Sequence, residues 1–170
     1  MSDYLVRGTL AQIDPAVAEL IEHEHARQFS KLIFIASEST APTAIREAEG
    51  SIFRNLYAEG YPHESMRTQS QEQILDYEYQ LPFYRRNGDR RYYKGVEYCN
   101  VVEALAQRRG AEAFCPPGMT PDQLYVNVQP LSGAAGNTAV YEALAQPGET
   151  VLTLDLLHGG HLSHGSPVNI

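Results

Sequence analysis

Apolar and polar positions alternate with a helical period in the first third of the chain. In "IDPAVAELIEHEHARQF", Asp14 is a plausible N-cap, Pro15 takes the first helical position, and Val17, Leu20 and Ile21 share one face, which predicts an amphipathic helix. "KLIFIASES" is apolar for four residues and then small and polar, which reads as a short extended piece running into a turn. "TAPTAIREAEGSIFRN" offers Ser39 and Thr40 as caps ahead of Pro42 and predicts a second helix. From His63 to about Gly88 the pattern is lost: the stretch is polar, glutamine-rich and studded with tyrosine, ends in an Asn87-Gly88 turn signal, and reads as an inserted excursion. Tyr98, Val101, Val102 and Leu105 then recur at helical spacing and predict a third helix to about Phe114. Three prolines make "PPGMTPDQ" a loop.

The last third has a different rhythm. "LYVNVQP" alternates like a strand, "SGAAGNTAVYEALA" is helix-forming, "QPGE" is a turn and "TVLTLDLL" is an apolar strand. Strand, helix and strand with short connections make a βαβ unit, whose crossover implies parallel pairing in a sheet covered on both faces. The chain shows no internal repeat or heptad.

Composition narrows the function classes. At 170 residues and 43% apolar content the chain suffices for one domain or part of a larger one. With 21 acidic against 13 basic residues the formal charge is -8, and no arginine stripe relieves it, which argues against a nucleic-acid partner. Cys99 and Cys115 have no metal-type pairing and fit a reducing cytosol. "MSDYLVRGTL" lacks the apolar run of a secretion signal, and no segment approaches the ~20 apolar residues of a membrane span. A soluble, cytoplasmic protein is expected.

Three clusters carry candidate chemistry. In "QPLSGAAGN", Ser132 and Gly133 fall where a strand feeds a helix, and free N–H groups, the helix dipole and a hydroxyl make a phosphate cradle there, unless the pair merely caps the helix. "LHGGHLSHG" follows the next strand, on the sheet edge where ligands of open α/β folds bind. A metal site at His158, His161 and His164 is disfavoured, because Gly159 and Gly160 oppose a helix and no carboxylate lies close enough to complete a zinc set. What remains is a loop delivering one imidazole to a cofactor ring, or a histidine-rich turn without a ligand. Tyr57, Glu59, Tyr92 and Tyr93 can handle protons or recognise a carboxylate-bearing substrate, or else are packing tyrosines and a solvated glutamate.

The blocks "IASES", "YAEGYP", "RYYKGVEY", "VNVQPLSGAAGNTAVYEAL", "PGETVL" and "HGGHLSHGSPVN" resemble, in order and nearly in spacing, the N-terminal part of serine hydroxymethyltransferase. The resemblance implies an α/β fold: the N-terminal part of a fold-type I pyridoxal-phosphate-dependent transferase, with a helical arm over residues 1–60, an insert and connecting region over 61–91, and the start of a mainly parallel sheet in the large domain over 92–170. It implies a homodimer or dimer of dimers that exchanges the hydroxymethyl carbon of serine with tetrahydrofolate to leave glycine.

By the same resemblance, Ser132, Gly133 and Ala134 cradle the cofactor phosphate, and His161 stacks on its pyridine ring. Tyr57 lies near the phosphate, Ser37 near the substrate carboxylate, and Glu59 moves protons between the substrate hydroxyl and folate. Tyr92 and Tyr93 line the folate and substrate pocket, while Leu156, Gly160 and Leu162 contact folate. Glu59, Tyr93 and His161 form the catalytic set, and the four residues Tyr57, Glu59, Tyr92 and Tyr93 reach into the neighbouring subunit's site. His158 and His164 have supporting roles.

Departures from the family pattern are Leu131 for a histidine, Ala134 for a serine, Ser39 for an asparagine, and the excursion at 63–88 where a very short loop is usual. The family's cofactor-bearing lysine belongs to a segment past the equivalent of Ile170, and the lysines here, Lys31 and Lys94, lie outside its motif. The chain is therefore expected to be inactive alone and to need its C-terminal part, carried on the same polypeptide or encoded separately. The alternative is a non-catalytic phosphate- or folate-binding or dimerisation module. A third, weaker alternative is a fold-type I enzyme with another amino-acid substrate.

Overall fold

A computed structural model of the chain describes residues 7–87 and 90–167, so Gly88 of the Asn-Gly turn and the end of the "SPVN" block lie outside the described residues. Contacts divide the chain into two units, with the boundary between Arg54 and Asn55.

The first unit opens with a single turn, α1 (Leu10–Ile13), where the Thr9 amide donates to Gln12 Oε1 at 2.9 Å. Helix α2 (Pro15–Ser30) follows with the predicted start: the Asp14 carboxylate accepts from the Val17 amide at 3.1 Å. Glu24 and Arg27 pair on its surface at 2.7 Å, and the guanidinium, helped by Gln28, holds the Glu24 carboxyl down at about 2. The apolar face is not buried: Val17, Leu20 and Ile21 are all exposed. The stretch after Lys31 has no regular secondary structure and turns where the Glu38 amide bonds the Ile35 carbonyl at 3.0 Å. Helix α3 (Thr43–Glu49) starts directly after Pro42, which takes the N-cap position without a side-chain bond. Ser39 and Thr40, expected as caps, lie too far upstream, because a capping oxygen reaches only the amides two and three residues ahead of it.

The second unit is built on α6 (Glu97–Phe114), the predicted third helix. The two strands of the described residues are β1 (Gly60–Tyr61) and β2 (Arg90–Arg91), paired antiparallel with Gly60 opposite Arg91. Between them lie a 3-10 turn at Glu64–Thr68, α4 (Gln71–Ile74) and α5 (Tyr77–Asn87). The stretch that reads as an excursion is therefore helical, and it supplies half of the core: Met66 and the fully buried Ile74 pack with Val101 and Ala104 of α6, and Leu105 closes the side. Its polar composition conceals this because one glutamine faces inward with its hydrogen bonds met. The buried Gln80 donates to Gln69 Oε1 at 2.7 Å and to the Gln73 carbonyl at 2.8 Å.

The remainder follows the predicted order but not the predicted sheet. Residues 124–130 and 150–155 carry no regular secondary structure, α7 (Gly133–Leu144) lies between them, and neither segment joins a ladder among the described residues. A parallel strand is stable only with neighbours beside it and cover on both faces. Here Leu152 is 98% and Leu154 64% exposed, so that cover is missing. Residues 124–130 are held to the core by side chains instead: a Cβ on Gly110 of α6 would lie 3.1 Å from Val126 Cγ1. A 3-10 turn at Leu156–His158 and the short α8 (Leu162–Gly165) complete the described chain.

Candidate functional site

The β1–β2 pair brings the tyrosine and glutamate candidates to one corner. The Tyr92 amide donates to the Glu59 carbonyl at 3.1 Å, extending the pairing by one residue. Alternation along the strand then leaves Glu59 and Tyr92 exposed, and the rings of Tyr57 and Tyr93 lie 5.2 Å apart at 35°. Gly60 is required at the crossing. Its φ is +108°, and a Cβ there would sit 2.1 Å from the Arg90 carbonyl oxygen.

Beneath the corner lies a group the sequence pattern did not single out. The Arg91 side chain, 2% exposed, donates to the carbonyls of Ala58 and Gly60, both at 2.7 Å, and to Asn100 Oδ1 at 2.8 Å, and forms an ion pair with Glu103. Gln129 joins from the 124–130 segment, donating to Glu103 Oε1 and to the Gly60 carbonyl, each at 2.7 Å. A buried guanidinium is tolerated because several acceptors satisfy it. The backbone on both sides of Glu59 is thereby tied to α6. Cys99 lies beside this group, and burial pushes its thiol up, with Arg91 opposing in part, so it is a packing residue rather than a nucleophile.

The other candidates gather where α7 meets α8. Ser132 is the N-cap of α7 as predicted, its hydroxyl accepting from the Ala135 amide at 3.3 Å. Gly133 and Ala134 are exposed, and a Cβ on Gly133 would meet nothing within 4 Å, so the helix start is open to an anion. About one and a half turns further along α7, Asn137 Nδ2 donates to the buried Ser163 hydroxyl at 2.8 Å. That bond ties the histidine loop to α7.

The loop folds back on the segment before it. Gly159 has φ +98°, and Cβ atoms on Gly160 and Gly165 would lie 1.9 Å and 2.6 Å from the Leu154 carbonyl oxygen. The glycines are there for close backbone approach. The three histidines consequently differ. His158 is exposed, with Nδ1 3.7 Å from Asp155 Oδ1. His164 is half-buried, its Nε2 accepting from the His161 amide at 3.3 Å, and its ring meets Tyr141 edge-on at 6.4 Å. His161 caps α8: Nδ1 accepts from the Ser163 amide at 3.2 Å and lies 2.7 Å from the Ser163 hydroxyl. Because Nδ1 accepts from the Ser163 amide it carries no proton, so the hydroxyl, which accepts from Asn137, donates to Nδ1, and this network assigns His161 the Nε2–H tautomer. Leu156 and Leu162 flank the loop and are exposed. Among the described residues no three His, Cys, Asp or Glu side chains converge on a metal position. Ser37 lies in the first unit, in the turn after Ile35. Among the described residues no helix is long and apolar enough to cross a membrane.

An open helix start and a glycine loop with one oriented imidazole are thus joined through Asn137. Residues 10–87 and 85–170 match the serine hydroxymethyltransferase family, and the chain belongs to that family. It is 42% identical over all of its 170 residues to serine hydroxymethyltransferase from Kocuria rhizophila, of which it covers 32%, so it spans about a third of that relative's length. The family match runs through residues 63–87, the stretch that contributes Met66 and Ile74 to the core.

Proposed function

We propose that this chain forms the N-terminal part of a cytoplasmic, pyridoxal-phosphate-dependent serine hydroxymethyltransferase that interconverts serine and glycine with tetrahydrofolate as cosubstrate. The observation that carries the reading is the pairing of an open α7 start with a histidine loop bonded to it through Asn137, in a chain of this family. Ser132, Gly133 and Ala134 hold the phosphate through the helix amides and the serine hydroxyl. His161 lies against the pyridine ring, its orientation set by the bonds at Nδ1. When bound, pyridoxal phosphate supplies an electron sink for the bond being broken.

The chain's own residues do the remaining work. The exposed Glu59 carboxylate moves a proton between the substrate hydroxyl and folate, Tyr57, Tyr92 and Tyr93 line the substrate pocket, and Ser37 of the first unit keeps the substrate-carboxylate role that its motif implies. Leu156, Gly160 and Leu162 form the folate-facing edge of the loop. In a homodimer or dimer of dimers the tyrosine and glutamate corner serves the neighbouring subunit. Leu131 and Ala134 remove two polar side chains from the phosphate region and leave its backbone donors in place, so phosphate affinity is lowered rather than abolished.

The test is serine-dependent one-carbon transfer to tetrahydrofolate by the full-length protein. Glu59→Gln is expected to spare cofactor binding and slow serine cleavage by roughly 100-fold or more, the usual range for loss of a general acid-base group. Serine turnover unchanged in that variant removes the proton-handling role. Residues 1–170 expressed alone are expected to bind a phosphate ligand without turnover. The second reading, a non-catalytic binding module, draws on the same Leu131 and Ala134 departures, and full-length protein that binds pyridoxal phosphate but leaves serine untouched would establish it.

A further inference from the structure

We propose that the helical segment 63–87 is a clamp that positions the tyrosine pair, with Tyr84 as its positioning residue. The catalytic side of this proposal rests on the function proposed above. Helix α5 touches both ends of the β1–β2 pair. At one end, Phe83 meets the ring of His63 edge-on at 5.0 Å, two residues past the end of β1. At the other, the buried Tyr84 donates its hydroxyl to the Tyr93 carbonyl at 3.4 Å, and the Lys94 ammonium lies 4.7 Å from the centre of its ring. A third tie runs from the start of the segment, where Glu64 pairs with Arg90 of β2 at 2.5 Å.

The clamp has a rigid base. Ile74 and Met66 are locked against Val101 and Ala104, and Gln80 bonds α5 to the two preceding turns. Between α5 and α6 only about 10 Å³ is left open, among His63, Gln80, Tyr84, Asn100 and Val101, barely room for one water. That gap is too small for α5 to settle closer to α6 without displacing side chains packed there, and the Tyr84 hydroxyl joins α5 to the Tyr93 carbonyl. Arg91 holds the same strands from the α6 side. The tyrosine corner is thus held between α6 and α5, and a chain with a short loop in place of 63–87 would have only the α6 side.

The experiment compares wild type, Tyr84→Leu, Tyr84→Phe and a core control, Ile74→Val, in the full-length protein, by hydrogen exchange at the Tyr92 amide and by steady-state kinetics. Tyr84→Leu should speed Tyr92 exchange by about tenfold and lower kcat/KM for serine by about tenfold, since small misplacement of substrate-positioning groups is costly. Tyr84→Phe keeps the ring under Lys94 and should restore most of both losses. Ile74→Val should lower the melting temperature and leave Tyr92 exchange and kcat/KM as in wild type. Equal exchange in Tyr84→Leu and Ile74→Val overturns the clamp, as does faster exchange with unchanged kcat/KM. Where wild type itself shows no serine turnover, that result counts against the proposed function, and the exchange comparison alone decides the clamp.

Discussion

The tyrosine corner and the histidine loop are held in place by opposite means. The corner stands on a buried charge network and an apolar core: Arg91, Glu103, Asn100 and Gln129 tie its backbone to α6, and α5 supports it from the other side. Among the described residues the loop has no buried apolar side chain in or next to it in sequence. Glycines that let backbone meet backbone at Leu154, and side-chain bonds such as Asn137 to Ser163 and Thr153 to the His164 carbonyl, keep its shape. The lesson concerns tolerance. A corner held by side chains fails when one particular group is lost, whereas a loop held by missing side chains fails when one is added.

Substitutions can break that contrast. The largest effect is expected for Arg91→Leu, which removes the cation from the Glu103 carboxylate, 12% exposed, takes the guanidinium donor from the Ala58 carbonyl and leaves the Gly60 carbonyl only its bond from Gln129. Removing one partner of a buried pair costs about 3–5 kcal/mol, and urea unfolding should show it. Gly160→Ala comes next: the added Cβ meets the Leu154 carbonyl oxygen, and overpacking of this kind costs about 1–3 kcal/mol. Its signature is faster hydrogen exchange confined to residues 156–165 with the corner unchanged. If exchange at Tyr92 rises as well, the two regions are one cooperative unit and the contrast is wrong. The smallest effect is Asn137→Ala, which loses a neutral hydrogen bond worth about 1 kcal/mol and should loosen the His161 ring more than it lowers the melting temperature. Histidine ring signals in NMR would read this directly.

The local structure was legible wherever a signal sits within a few residues. Asp14 with Pro15, Ser132 ahead of Gly133, and the periodic apolar residues of α6 each specify their element through bonds to near neighbours. The family motifs likewise identified the chain, because "YAEGYP" and "HGGHLSHG" are contiguous in sequence. The cap of α3 was misassigned for a local reason too, since Ser39 and Thr40 compete on paper with a proline that needs no side-chain bond.

What the sequence could not display was partnership across distance. Nothing marks Arg91 among the run "RRNGDRRYY" as the buried arginine, and nothing in the polar stretch 63–87 marks Met66, Ile74 and Gln80 as interior. Their burial exists only once α4, α5 and α6 are side by side, because a side chain becomes interior through neighbours that are remote in sequence. The predicted parallel strands show the same dependence from the other direction. Residues 124–130 and 150–155 have strand-like patterns, yet a ladder needs backbone partners, and among the described residues neither segment pairs, with Leu152 and Leu154 exposed. Sequence by itself determined the family and the starts of α2 and α7, because each signal lies within a few contiguous residues. Tertiary structure decided which arginine is buried, which face of the polar segment is core, and which of three histidines has its tautomer set by its bonds.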